Sequence, residues 1–155
     1  MKQDGKLSRI LHILLHMAEH EEPRTSESLA KMLSTNPVVV RQIMAGLRRK
    51  GYVQSEKGHG GGWKLACDLS KLTLRDIYAA LGSPPLLAIG NNTETHGCLV
   101  EQTVNSALEQ VLRDTEEFLL VRLSAVSLAD LNADLRDRLV VRGTSTEQKE
   151  KSHAS

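Results

Sequence analysis

The segment Asn36-Pro37-Val38-Val39-Val40-Arg41 constrains the chain more than any other. Asn offers a side-chain oxygen to an unpaired amide at a helix start. Pro suits the first helical position, where its φ is already set and its missing N–H costs nothing. A helix therefore starts at Pro37 and runs to about Lys50, with Gly51 placed where the chain leaves it. This helix has two stripes. Val40, Ile43, Met44 and Leu47 recur at i, i+3, i+4 and i+7 and face a core. Val38, Arg41, Gln42 and Ala45 fall on the other side.

The flanks complete a motif. Thr25 or Ser26 caps a short helix carrying Leu29, Ala30, Met32 and Leu33, and Ser34-Thr35-Asn36 forms the turn. Two helices around so short a turn have helix-turn-helix proportions. Before them, Leu7, Ile10, Leu11, Leu14, Leu15 and Ala18 mark an amphipathic helix over about residues 5–20. After them, Tyr52–Glu56 and Trp63–Ala66 alternate as strands around Lys57-Gly58-His59-Gly60-Gly61-Gly62. Strand, glycine turn and strand make a hairpin. Thr73 to Asp76 resembles a capping box and opens a helix ending at Gly82, and Pro84-Pro85 breaks the chain.

Three helices followed by a basic hairpin give the winged helix-turn-helix order. The expected fold is mainly α: a winged helix-turn-helix domain over residues 1–82, a linker loop over 83–97, helices for dimerisation over 98–142 and a disordered tail over 143–155. The long helix, about 98–123, carries Val104, Ala107, Leu108, Val111, Leu112, Phe118, Leu119 and Leu123. Of these, Val104, Leu108, Val111, Leu112, Phe118 and Leu119 are expected to bury against a second copy as well as their own domain. Ser127-Leu128-Ala129-Asp130 opens a last helix, through about Leu139.

Charge supports a polyanion-facing surface. The total is +1, yet residues 24–64 carry a net +6 and residues 96–142 a net −3. Aromatics make up 3%, too few for the stacking platforms of a single-strand binder. The expected partner is double-stranded DNA. At the helix start, Gln42 suits an adenine edge, Arg41 a guanine edge or a phosphate, and Val38 or Val39 a thymine methyl. Asn36 and the helix N-terminus suit a phosphate. Lys57, His59 and Gly60 at the hairpin tip suit phosphates or a minor groove, because glycine lets backbones approach closely. Arg48-Arg49-Lys50 reads as favourable placement at a helix C-terminus.

Nothing in the motifs suggests an enzyme: there is no nucleophile elbow, no His-Glu-x-x-His, and the glycine turn fits neither nucleotide-binding template. No apolar run is long enough for a membrane helix, and the N-terminus lacks the features of a signal peptide, so a cytoplasmic protein without membrane association is expected. His12, His16 and His20 lie at i, i+4 and i+8 without an acid or thiol partner fixed nearby, and read as a solvated face rather than a metal site.

At residues 29–43 (LAKMLSTNPVVVRQI), 47–53 (LRRKGYV), 57–65 (KGHGGGWKL) and 72–81 (LTLRDIYAAL), the chain resembles the Rrf2 family of bacterial winged-helix transcription regulators. The resemblance covers about residues 5–140, and the Asn-Pro-Val-Val-Val-Arg combination looks like a subgroup that binds no cluster. It implies a homodimer held by the long helix, with one recognition helix and one wing on each half of a near-palindromic operator, acting as a repressor. The family's DNA-contacting positions fall here on Asn36, Val38, Val39, Arg41, Gln42 and Lys57. Several relatives have Ser, Tyr and Glu at the positions of Val38, Val39 and Arg41, so their target sequence does not transfer. Cluster-binding relatives place three cysteines before the long helix. Here only Cys98 remains, with His96 close by, so neither a cluster nor any other metal or cofactor is expected, although a dimer would double this set if the two copies met. Cys98 near a helix start is a candidate thiol sensor for a redox or small-molecule effector; Cys67 reads as packing. The competing function is a winged-helix module that binds a protein, anchored by Val38 and Val39, and not DNA.

Overall fold

The computed structural model of the chain describes residues 5–86 and 98–152, with side chains described through residue 142. Helices α1 (Lys6–Ala18), α2 (Ser26–Met32) and α3 (Pro37–Arg49) precede strands β1 (Val53–Glu56) and β2 (Gly62–Leu65). Helices α4 (Leu74–Ala80), α5 (Leu99–Ser124) and α6 (Leu128–Ser152) follow. This is the mainly helical winged helix-turn-helix architecture expected, with a long helix after it.

Local chemistry sets the element ends. Asn36 Oδ1 accepts the Val38 N–H at 2.8 Å, and Pro37 occupies the first turn of α3. Thr25 Oγ1 accepts the Ser28 N–H at 3.1 Å and caps α2. Helix α2 ends in a Schellman arrangement, with Thr35 N–H on Ala30 O at 3.0 Å and Ser34 N–H on Lys31 O at 3.3 Å. Ser34 takes the left-handed conformation this requires, at φ +50°. The end of α3 repeats the pattern with Gly51 at φ +79°, which aims the chain into β1.

One core joins these elements. Ile10, Ile13, Leu14 and Met17 of α1 pack with Leu29 and Ala30 of α2 and Val40, Met44 and Leu47 of α3. Val53, Leu72, Ile77 and Leu128 close it. Burying each of the larger side chains contributes about 1.5–3 kcal/mol relative to exposure. Leu128 shows that α6 returns to the domain. Its N–H bonds Leu72 O at 2.7 Å, Leu74 N–H bonds Val126 O at 3.0 Å, and Arg136 Nε meets Glu19 Oε1 at 2.9 Å.

Helix α5 behaves differently: none of its 26 residues is buried. Helix α6 runs to Ser152, past the end expected near Leu139 and into the segment expected to be disordered. Glu147, Gln148, Lys149, Glu150 and Lys151 are good helix formers, which favours continuing the helix through this polar segment. Residues 87–97, with His96 and most of the expected linker, lie outside the described residues.

Candidate nucleic-acid interface

The wing is built by register and by glycine. Strands β1 and β2 pair antiparallel, with Val53 opposite Leu65 and Glu56 opposite Gly62. Arg24 and Trp63 exchange two further backbone bonds, Arg24 N–H to Trp63 O at 2.9 Å and Trp63 N–H to Arg24 O at 2.8 Å. The connection between α1 and α2 thus extends the hairpin. This approach leaves no room beside Gly62, where a Cβ would lie 2.6 Å from the Arg24 carbonyl. At Gly61 it would lie 2.4 Å from the Glu56 carbonyl oxygen. Gly58 and Gly60 have positive φ and nothing within 4 Å, so the tip is open to an approaching backbone.

Asn36, Val38, Val39, Arg41 and Gln42 are exposed on α3, as are Lys57, His59 and Gly60 at the wing tip. Val40, Met44 and Leu47 are buried and Ile43 is half-buried, while Ala45, expected on the outward stripe, is half-buried as well. Arg48 Nη1 reaches Ser55 Oγ of β1 at 3.4 Å and so links the helix end to the wing. That bond is additional to the helix-end placement expected for Arg48.

Two features were missed from sequence. Arg41 Nη2 donates to Glu27 Oε1 of α2, and the two side chains stay 54% and 58% exposed. The Glu27 carboxyl is held below its usual range by its own backbone N–H and by Arg41. The i, i+14 spacing carries no helical signal, so only the crossing of α2 and α3 reveals the pair. Second, a groove of 280 Å³ beside α3 is lined by Lys6 and Arg9 of α1 together with Val39, Gln42 and Arg49. These cations extend the basic surface from the far end of the chain, out of reach of any local pattern.

On α5, Val104, Leu108, Val111 and Phe118 are exposed, while Leu112 and Leu119 are half-buried. Leu99, Val100 and Val121 are exposed apolar residues too, as are Leu139, Val140 and Val141 of α6. Cys98 is exposed at the α5 N-cap without a side-chain cap bond. Cys67 is half-buried, its thiol on Tyr52 O at 3.5 Å, and burial pushes its pKa up. His12 and His16 bring their Nε2 atoms to 2.9 Å, while His20 lies past the end of α1. Among the described residues no three His, Cys, Asp or Glu are grouped to hold a metal. With two cysteines in the whole sequence, on separate elements, the donor set does not fit an iron–sulfur cluster held within one chain. Among the described residues no helix is long and apolar enough to cross a membrane.

Comparison with known proteins agrees with this fold. The family model for Rrf2, described as an iron-dependent transcriptional regulator, matches residues 4–134. YwnA of Bacillus subtilis strain 168, named as an HTH-type transcriptional regulator, is 26% identical over 128 residues, covering 83% of this chain and 95% of that protein. IscR of T. potens superposes with a TM-score of 0.63 at 20% identity, over 87% of this chain and 88% of that one. CymR (YrzC), the global cysteine regulator of B. subtilis, gives 0.57 at 20% identity, over 86% and 98%. The chain belongs to the Rrf2 family of DNA-binding helix-turn-helix transcriptional regulators, and is not an enzyme.

Proposed function

We propose that the protein is a cytoplasmic repressor that binds a near-palindromic operator as a homodimer. The observation that carries this reading is the pairing of an exposed recognition stripe on α3 with an open, basic wing tip. Asn36, Val38, Val39, Arg41 and Gln42 serve the major groove, while Lys57, His59 and Gly60 serve the backbone or the minor groove. The positive charge of residues 24–64 supplies attraction to phosphate, which is indifferent to sequence.

Dimerisation is supported by α5. Phe118 is 64% and Val111 61% exposed on a helix with no buried residue. Continuous apolar surface of this kind marks an interaction face, and a second copy of α5 covers it symmetrically. Two-fold symmetry then requires two-fold symmetry in the operator. Repression follows from occupancy, since a dimer spanning both half-sites blocks that stretch of duplex to other proteins. For the iron of the family description, no three His, Cys, Asp or Glu are grouped among the described residues.

Selection of bound duplex from a random library tests the reading. It predicts an enriched, nearly two-fold symmetric sequence with half-sites about 10 base pairs apart or a multiple of that. Absence of any enriched duplex, with a stoichiometric protein partner captured on Val38 and Val39, would establish the protein-binding module instead.

A further inference from the structure

We propose that Glu27 is a specificity-determining positioning residue, which holds the Arg41 guanidinium so that it reads a guanine edge in the major groove. This rests on the DNA-binding reading above and adds a residue from α2 to the recognition surface.

Geometry is the first support. Arg41 lies in the second turn of α3 and Glu27 in the first turn of α2, and they meet through Arg41 Nη2 and Glu27 Oε1. Both helices are fixed where it matters. Thr25 caps the start of α2, Asn36 caps the start of α3, and the Schellman bonds of Ala30 and Lys31 set the turn between them. Glu27 is therefore anchored by backbone, and through it so is the far end of a long, flexible side chain.

Chemistry is the second support. A guanidinium carries five N–H donors in a planar fork. Engaging one with Glu27 leaves donors for the O6 and N7 acceptors of guanine, whose bidentate recognition depends on the orientation of that plane. A pre-oriented fork loses less rotamer freedom on binding. Exposure above one half on both side chains keeps the unused donors accessible.

Charge is the third. Glu27 is one of only two acids within residues 24–64, where eight cations lie. A carboxylate beside a recognition helix weakens the hold on any phosphate backbone, whatever its sequence. Glu27 thus lowers affinity for random duplex while it orders the side chain that reads a base. Both effects widen the gap between specific and random binding.

The test uses the full-length protein, its selected duplex, single-base variants at each guanine of the half-site, and a random duplex. Wild type, Glu27→Gln, Glu27→Ala, Arg41→Ala and the Glu27→Gln/Arg41→Ala double variant are compared at fixed salt. The expected result is that Glu27→Gln and Glu27→Ala lose about tenfold of discrimination at one guanine position. Binding to random duplex is then equal or stronger, and both variants remain folded. In the Arg41→Ala background, Glu27→Gln changes discrimination no further. Unchanged discrimination at every guanine overturns the proposal and leaves the DNA-binding reading intact. So does a uniform rise in affinity for all duplexes with the same discrimination, which makes Glu27 a repulsive charge only. Failure of the wild type to bind any duplex overturns the DNA-binding reading and the proposal together.

Discussion

Trp63 Nε1 donates to Ser26 Oγ at 2.9 Å, joining the second strand of the wing to the first residue of α2. Together with the backbone exchange between Arg24 and Trp63, it seats the wing against the helix-turn-helix. Ser26 is 7% exposed, so its hydroxyl has little access to replacement water. Ser26→Ala should cost about 0.5–1.5 kcal/mol, the net worth of a lost hydrogen bond whose donor, on half-buried Trp63, keeps some access to water. Urea unfolding checks the stability, and the emission of Trp63, the sole tryptophan, reports the local change.

The glycines of the wing separate into two kinds. Gly62→Ala places a methyl 2.6 Å from the Arg24 carbonyl and should destabilise by about 1–3 kcal/mol, as overpacking does. Gly60→Ala meets nothing within 4 Å and bears only the left-handed backbone penalty of about 1–2 kcal/mol. Denaturation midpoints should fall further for Gly62→Ala, whereas duplex binding should suffer more in Gly60→Ala, because Gly60 lies at the exposed tip.

Ser34 holds a position better suited to glycine. Its φ of +50° strains an L-residue by about 1–2 kcal/mol, while the greater freedom of glycine in the unfolded chain offsets roughly half of that gain. Ser34→Gly should therefore raise stability by about 0.5–1 kcal/mol in urea titration, with DNA affinity unchanged.

His16 makes stability sensitive to acid. Burial, and then the nearby charges of His12, His20 and Arg24, hold its pKa below the ordinary 6.5. The unfolded chain therefore binds a proton more readily than the folded one as pH falls through 6.5. This contribution is complete above that pH and is lost as the solution is acidified towards and below the folded pKa. Unfolding free energies measured across this range should flatten on the acid side in His16→Gln.

The dimer face gives a prediction independent of DNA. Val111→Asp and Phe118→Asp place charge on exposed positions of α5, so the single domain should stay folded while association fails. Sedimentation at micromolar concentration should show dimer for the wild type and monomer for both variants. An unchanged mass would remove α5 as the interface.

Much of this fold is written in short-range chemistry. Asn36-Pro37, the Thr73–Asp76 capping box and the i, i+3, i+4 stripe of α3 each act within one or two turns, and each is found where its spacing places it. Pairings between distant segments are not written so. The Arg24–Trp63 bridge joins single residues, too few to alternate, and the Glu27–Arg41 pair exists only because α2 crosses α3. Gly62 shows the same limit: as a letter it suggests freedom of φ, yet in the fold it marks the approach of another backbone. The end of α6 differed because polar composition argues against packing, while helix propensity asks for none.

The most direct test is the salt dependence of duplex binding by the wild type and by Arg41→Ala/Lys57→Ala, measured on the selected operator between low and physiological salt. Steep dependence is expected for the wild type. The double variant should bind more weakly, with a log–log slope shallower by about 1, because Lys57 no longer neutralises a phosphate. Equal affinity and equal slope in the two proteins would show that the duplex does not lie against the start of α3 and the tip of the wing.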